Sequence, residues 1–263
     1  MSDKDLTGRV ALVTGAARGL GAGAAAALTA AGARVVIADV LEDEGEKAAA
    51  DLSGAEFVHL DVTDDGRWEA AVAHTVGTLG GLDIVVNNAG IEVTQLIVDA
   101  EPDAHRSMFD VNILGTLLGT KHAFRAMRPG GPAGRGGVVI NIASVAATIA
   151  FPAIGGYSAT KSAVDRLTRV AAAESGKLGY GVRVNCIYPG LVPTAMGTKL
   201  AVETAALGLF ADPQDAVTQV VGMTPSGRLA EVSDIADAVV FLASDASRFV
   251  NGVGLPVDGG MGM

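Results

Sequence analysis

Short, mostly apolar runs recur along this chain, each followed by a stretch of helical length. Val10-Ala11-Leu12-Val13 is the first, and it stops at Thr14-Gly15. Arg34–Ala38, Glu56–Leu60, Leu82–Val86, Gly137–Ile142, Val182–Ile187 and Gly254–Val257 follow. Helical patterns lie between them, near 20–31, 43–52, 64–78, 102–127, 157–178 and 232–244. A strand covered on both faces loses the apolar/polar alternation of a half-exposed one. The pattern therefore predicts an α/β protein, a parallel sheet wound with helices on both faces. No repeat or low-complexity linker divides the chain, and the Gly- and Pro-rich stretch 130–137 is too short to separate domains. Residues 1–263 read as one domain.

One stretch departs from the alternation. From Gly190 to about Ser226 the chain carries Pro193, Pro213 and Pro225 among apolar residues such as Met196, Leu200, Leu207, Leu209 and Phe210. An irregular connection this long is uncommon without a task. It is read as a mobile lid over a substrate, spanning about 190–226.

The first apolar run leads into Thr14-Gly15-Ala16-Ala17-Arg18-Gly19-Leu20-Gly21 and then an Ala-rich helix. Glycines let the backbone turn sharply and approach a pyrophosphate at the helix N-terminus. The spacing is G-x-x-x-G-x-G. Asp39 ends the second run, eighteen residues after Gly21. An acidic residue about 20 residues on accepts hydrogen bonds from the adenosine ribose hydroxyls of a dinucleotide. It repels a 2′-phosphate, and Val40 stands where a phosphate site tends to place a basic group. Arg18 is a counter-signal, because a basic residue in this turn helps hold that phosphate. Asp39 weighs more, so the expected coenzyme is NAD. Asp39 also suits a helix N-cap, and the two roles are compatible.

Tyr157 and Lys161 lie four apart on a helical pattern and point the same way. An ammonium beside a phenol favours the phenolate, and an acid/base group works best with a pKa near the operating pH. A depression of about two to three units from the ordinary tyrosine value near 10 is needed. The pair predicts proton transfer to or from an alcohol oxygen.

With these residues assembled, the chain resembles the short-chain dehydrogenase/reductase family over nearly its whole length. The resemblance rests on the turn Thr14–Gly21, Asp61-Val62, Asn87-Asn88-Ala89-Gly90, Asn112, Ser144, the Tyr157/Lys161 pair, Pro189-Gly190 and Val257-Asp258-Gly259-Gly260. It implies a Rossmann-type sheet of seven strands and commonly a homotetramer. Three residues between the tyrosine and the lysine match the ordinary reductase form, whereas the divergent enoyl-reductase branch has a wider gap.

The resemblance also assigns roles. Gly15, Arg18, Gly19, Leu20 and Gly21 cradle the pyrophosphate, with Asp39 and Val40 at the ribose. Asp61 bonds the adenine amino group with Val62 beside it. Asn88, Ala89, Gly90 and Val111 line the coenzyme. Pro189 and Gly190 bend the chain beneath the nicotinamide, and Val192 and Thr194 meet its carboxamide. Ser144 binds the substrate oxygen. Tyr157 exchanges the proton, Lys161 lowers its pKa and bonds the nicotinamide ribose, and Asn112 holds a water linking Lys161 to solvent. Tyr157 and Lys161 therefore count among both the catalytic and the coenzyme residues.

Residues expected at the substrate are mostly apolar: Val145, Ala146, Ile149, Phe151, Leu191, Met196 and the rest of 196–210, besides Ser144 and Tyr157. Such a pocket favours a lipophilic secondary alcohol or ketone, such as a hydroxysteroid, a cyclic alcohol or an aryl-alkyl carbinol. Glu92 faces either substrate or solvent. A 3-oxoacyl-thioester reductase, a sugar dehydrogenase and a non-catalytic NAD-binding sensor or scaffold are the alternatives. The sensor needs none of Asn112, Ser144, Tyr157 and Lys161, yet all are present. NAD preference suggests oxidation as the working direction.

Composition removes other classes. Lys+Arg 19 against Asp+Glu 29 gives −10, with no long basic run, which argues against nucleic acid. Apolar residues at 49% of 263 mark a globular chain. The single cysteine, Cys186, reads as core filler in a buried strand. His59, His74, His105 and His122 lack zinc-type spacing, so no metal is expected. No G-x-S-x-G occurs, against a serine hydrolase. Met1-Ser2-Asp3-Lys4-Asp5 has no apolar signal region, and Gly32 and Arg34 interrupt the apolar stretch Ala22–Ala38. The expectation is a cytoplasmic protein without a membrane partner. Ile113, Leu114, Leu117, Leu118, Val164, Leu167 and Val170 serve either the core or a subunit interface.

Overall fold

The computed structural model describes residues 5–263; of the N-terminal pentapeptide read above, Met1 to Lys4 lie outside the described residues. Seven strands build one sheet: β1 (Val10–Thr14), β2 (Arg34–Asp39), β3 (Glu56–His59), β4 (Ile84–Asn87), β5 (Gly137–Ile142), β6 (Val182–Pro189) and β7 (Gly254–Val257). Their order is β3-β2-β1-β4-β5-β6-β7, and every neighbouring pair is parallel. This is the parallel α/β sheet expected from the apolar runs, in the Rossmann-like seven-stranded form that the resemblance implies.

The strands are apolar because both faces are covered. In β1, Val10 and Leu12 face one core, while Ala11 and Val13 face the other. The second core lies under α1 (Gly19–Ala30), α2 (Glu42–Ala50) and α9 (Val232–Ala243), and the first under α3 (Asp65–Leu79), α5 (Gly115–Met127) and α6 (Gly155–Leu178). Small residues let α1 approach its neighbour: a Cβ on Gly23 would fall 2.1 Å from Val232 Cγ1 at the start of α9. Asp64 caps α3 by accepting from the amides of Gly66 and Arg67, and left-handed Gly80 ends it.

From β1 the chain winds outward to β3, returns, and winds the other way through β4 to β7. Ligands of such sheets bind where the order reverses, outside the carboxyl ends of the strands. Here that crevice lies between β1 and β4.

Two stretches differ from the reading above. The helix expected over 102–127 is α4 (Pro102–Phe109), a π-helical turn (Asp110–Leu114) and then α5. The extra residue leaves the apolar periodicity nearly intact, which is why the pattern hides it. The irregular stretch 190–226 is mostly helical, with α7 (Ala195–Ala206) and α8 (Pro213–Gly222). Pro213 opens α8 rather than breaking it, and Asp212 caps it through the Asp215 amide at 2.8 Å. Among the described residues no helix is long and apolar enough to cross a membrane.

Candidate active site

The turn after β1 is shaped by close backbone contacts. Gly15 and Gly19 both have φ of 61°, in the left-handed region. A Cβ on Gly15 would sit 2.8 Å from Ala89 Cα, and one on Gly21 would sit 2.3 Å from Gly15 O. Asn88 stitches this turn to the end of β4, its Nδ2 donating to Thr14 O and Gly15 O at 2.9 Å each. Thr14 Oγ1 accepts from the amides of Asn88 and Ala89 at 3.1 Å. The Asn88 side chain is thus a strut inside the turn.

Arg18 occupies the N-cap of α1 without a side-chain cap, and the first turn holds no acidic residue. The helix therefore presents backbone N–H groups with no side chain to satisfy them, the chemistry a pyrophosphate needs. Leu20 packs into the core beneath. Across the crevice, Thr194 Cγ2 lies 3.8 Å from where a Gly19 Cβ would sit. The Thr194 hydroxyl accepts from Gly197 N at 3.3 Å as the cap of α7, which leaves its proton to donate elsewhere. Val192 is buried in the core, so its backbone alone can meet a carboxamide. Gly190 is required by crowding, since a Cβ there would stand 3.0 Å from Asp258 Cα. Pro189 closes β6 just before it.

At the ribose end, Asp39 is only 7% exposed. Its Oδ2 accepts from Ala17 N at 2.9 Å and its Oδ1 from Leu41 N at 3.1 Å. The N-cap of α2 is Leu41, so Asp39 does not fill that position. Instead it ties the glycine-rich turn to the entry of α2, with lone pairs left for ribose hydroxyls. Val40 is exposed. Asp61 Oδ1 accepts from Thr63 N and Oγ1 at 2.9 and 2.8 Å. The Val62 side chain is buried against Gly115 and its carbonyl accepts from Trp68 Nε1 at 3.0 Å, which leaves its amide as the group able to meet a ligand. Val111 packs on the same core.

At the other end, Gly90 sits between two side chains. A Cβ there would lie 3.3 Å from Asn112 Oδ1 and 3.4 Å from Lys161 Nζ. The turn, the uncapped helix end, Asp39 and the space kept open at Gly90 together fit a dinucleotide lying from β2 to α6.

Tyr157 lies in the first turn of α6, with Lys161 one turn on. Lys161 is 4% exposed; its Nζ is 5.5 Å from the Tyr157 ring centroid and donates to Ile142 O at 2.8 Å. The expected depression of the phenol is not what the protein alone produces. Burial pushes Tyr157 up to about 12; a hydrogen bond with Ser144 opposes this, and the charge of Glu92 adds to it. Burial likewise pulls Lys161 down to about 8. Burial outweighs any help from the ammonium, which donates to the β5 carbonyl and stands 5.5 Å from the ring centroid. Ser144 also accepts from Ala146 N at 3.1 Å.

Asn112, on the π-helical turn, is buried and fully engaged. Its Oδ1 accepts from Ile91 N at 2.9 Å, and its Nδ2 donates to Ile91 O at 2.9 Å and Thr160 Oγ1 at 3.0 Å. Thr160 in turn donates to Tyr157 O at 2.8 Å. The side chain clamps the 90s loop to α6, which is compatible with the water-holding role expected of Asn112. Sequence reasoning missed Thr160, since an unremarkable threonine inside Tyr157–Lys161 carries no signal of its own.

Around the expected substrate position, Val145 and Ala146 are buried and Phe151, Leu191 and Met196 are partly exposed. A shallow cleft of about 210 Å³ runs beside α7 and α8 past Leu191, Val192, Gly197 and Leu229, and none of Ser144, Tyr157, Lys161 and Asn112 lines it. Glu92, left open between substrate and solvent, is 6% exposed and turns inward.

The chain matches the family model described as enoyl-(acyl carrier protein) reductase over residues 15–262. It is 41% identical over 262 residues to the trans-4-hydroxycyclohexanecarboxylate dehydrogenase of Sinomonas cyclohexanicum, covering 96% of this chain and 92% of that protein. It is 41% identical over 256 residues to the 3-alpha-(or 20-beta)-hydroxysteroid dehydrogenase of Mycobacterium tuberculosis, covering 97% and 90%. Solved structures agree. The 3-ketoacyl-(acyl-carrier-protein) reductase of Brucella melitensis complexed with NADH superposes with a TM-score of 0.88 at 31% identity, over 98% of this chain and all of that one. The gluconate 5-dehydrogenase of Burkholderia cenocepacia with NADP and tartrate gives 0.86 at 35%, over 98% and 97%.

Proposed function

The chain belongs to the short-chain dehydrogenase/reductase family, as an alcohol dehydrogenase of that family, and on that premise we propose that it interconverts a lipophilic secondary alcohol and its ketone with NAD. The observation that carries the reading is the cluster in which Ser144 bonds Tyr157, Lys161 lies one turn on, and Gly90 keeps space beside Lys161 and Asn112. NAD, when bound, supplies the hydride acceptor at its nicotinamide ring.

Ser144 donates to the carbinol oxygen and orients it. The Tyr157 phenolate takes the hydroxyl proton as the ketone forms, and returns it in reduction. Lys161 would hold the nicotinamide ribose of a bound coenzyme, and its ammonium would favour the Tyr157 phenolate. Asn112 and Thr160 hold the start of α6 so that these groups stay within reach of one another. The two lid helices cover the substrate.

The apolar surroundings at Val145, Ala146, Phe151 and Leu191 favour cyclic alcohols, aryl-alkyl carbinols and hydroxysteroids, in line with the two curated relatives. The narrow Tyr157/Lys161 spacing weighs against enoyl reduction. Preference for NAD rests on Asp39 and on Val40 in place of a basic residue. A cytoplasmic location and a homotetramer belong to the same proposal, the latter supported by exposed Leu114, Leu117 and Val170 on α5 and its approach and on α6. Leu118 and Val164, by contrast, are core.

The test is turnover of secondary alcohols with each coenzyme. The expected result is activity with NAD that Tyr157→Phe removes while coenzyme affinity persists. Near wild-type kcat in Tyr157→Phe overturns the mechanism, and equal kcat/KM with NAD and NADP overturns the coenzyme assignment.

A further inference from the structure

Glu92 lies in the loop after β4, two residues beyond the glycine that flanks Lys161. The loop is pinned beside the start of α6: Gln95 N donates to Ala153 O at 2.7 Å, and Gln95 forms a bridge with Ile154. The carboxylate is buried there, the side chain being 2% exposed, and its charge reaches Tyr157 closely enough to raise the phenol. Oε1 accepts from Thr94 Oγ1 at 2.8 Å. Oε2 is buried and has no hydrogen-bond partner among the described residues. The nearest cation, Lys199 Nζ on α7, is 3.9 Å from Oε2 and donates instead to the Glu92 carbonyl at 3.2 Å. Lys199 also pairs with Glu203, 3.5 Å away.

A buried carboxylate oxygen without a donor is costly, and such an atom facing a site marks where a ligand supplies the donor. Burial also raises the carboxyl pKa, with Thr94 and Lys199 pulling it back and Glu203 adding to it. Positive charge is already present in Lys199, so what Oε2 lacks is a directed donor rather than another cation. Resting on the proposed alcohol oxidation, we infer that Glu92 is a substrate-recognition residue whose Oε2 accepts a hydrogen bond from a second hydroxyl group of the substrate. The preferred substrate is then a diol or hydroxy ketone of otherwise apolar character, and an alcohol with a carboxylate on that side is rejected by like charge. The apolar lining alone predicts the opposite ranking, with mono-alcohols first.

The experiment measures kcat/KM, with saturating NAD and then NADP, for cyclohexanol, the isomeric cyclohexanediols and a carboxylate-bearing cyclohexanol. Wild-type protein should favour at least one diol over cyclohexanol by about tenfold or more, the discrimination a hydrogen bond to a charged group gives. Glu92→Gln should lower the diol-to-cyclohexanol ratio about tenfold and ease the rejection of the carboxylate substrate. Lys199→Met, which removes the tether to the Glu92 carbonyl and the flanking cation but keeps the carboxylate as an acceptor, should leave that ratio in place while lowering all substrates in proportion. If Glu92→Gln lowers every substrate in the same proportion as Lys199→Met, Glu92 only tethers the lid and the inference fails. Oxidation of cyclohexanol with no diol preferred also defeats it and leaves the proposed function standing. Turnover of no alcohol with either coenzyme overturns both.

Discussion

Lys161→Met should make the protein more stable at neutral pH while removing its turnover. Lys161 is buried and its pKa falls from the ordinary 10.5 to about 8. The folded state therefore binds this proton about 300-fold less tightly than the unfolded chain, a penalty of about 3 kcal/mol when the group is charged. The sign follows from proton counts. Between the two pKa values the unfolded state holds more protons, so stability rises with pH there; below pH 8 the penalty is present in full. The same two values leave about 2 kcal/mol at pH 9, so about 1 kcal/mol is relieved between pH 7 and 9. Methionine carries no charge and no such slope. It also strands Ile142 O, a cost of about 1–3 kcal/mol that does not vary with pH. The pH-dependent part is thus the clean readout. Urea unfolding of both proteins at equal concentration, at pH 7 and pH 9, should show the variant's relative advantage shrinking by about 1 kcal/mol. A gap that is constant with pH, or that grows with it, refutes the account of Lys161 as a charge held in place against burial.

Three further outcomes follow from the geometry. Ser144→Ala removes the bond that lowers the Tyr157 phenol, so the acid limb of the kcat/KM profile for oxidation should move to higher pH; Glu92→Gln removes a charge that raises it and should move the limb the other way. Gly90→Ala places a methyl 3.4 Å from Lys161 Nζ and should weaken NAD binding, read by fluorescence titration, with the unfolding midpoint little changed. Asn112→Ala breaks the bonds to Ile91 N, Ile91 O and Thr160 and should cost about 2–4 kcal/mol in denaturant, together with loss of kcat.

The sheet is legible in the sequence because burial on both faces forces unbroken apolar strands, and Val10–Val13 or Val35–Ala38 admits little else. Glycines at 15, 19 and 21 are legible for a related reason, since backbone contacts such as Gly21 with Gly15 O exclude a side chain. What stays hidden depends on contacts far apart in the chain. The π-helical turn at 110–114 is set by Asn112 reaching Ile91, which no local pattern records. The inward turn of Glu92 depends on Gln95 meeting Ala153, and a lone acidic residue in a loop looks the same whether it faces in or out. The raised pKa of Tyr157 depends first on burial, and helical spacing to Lys161 gives direction without distance.

Asp39 joins two tasks that are separate in principle. The carboxylate proposed to choose between coenzymes also secures the amides of Ala17 and Leu41, so a lineage drifting toward the phosphorylated dinucleotide cannot discard it without loosening the loop that grips the pyrophosphate. Selection then has an easier path next door: Val40 is exposed and holds nothing in place, so new positive charge can be tried there first. Change of coenzyme in this scaffold should proceed by addition before replacement, and intermediates that accept both forms should be viable.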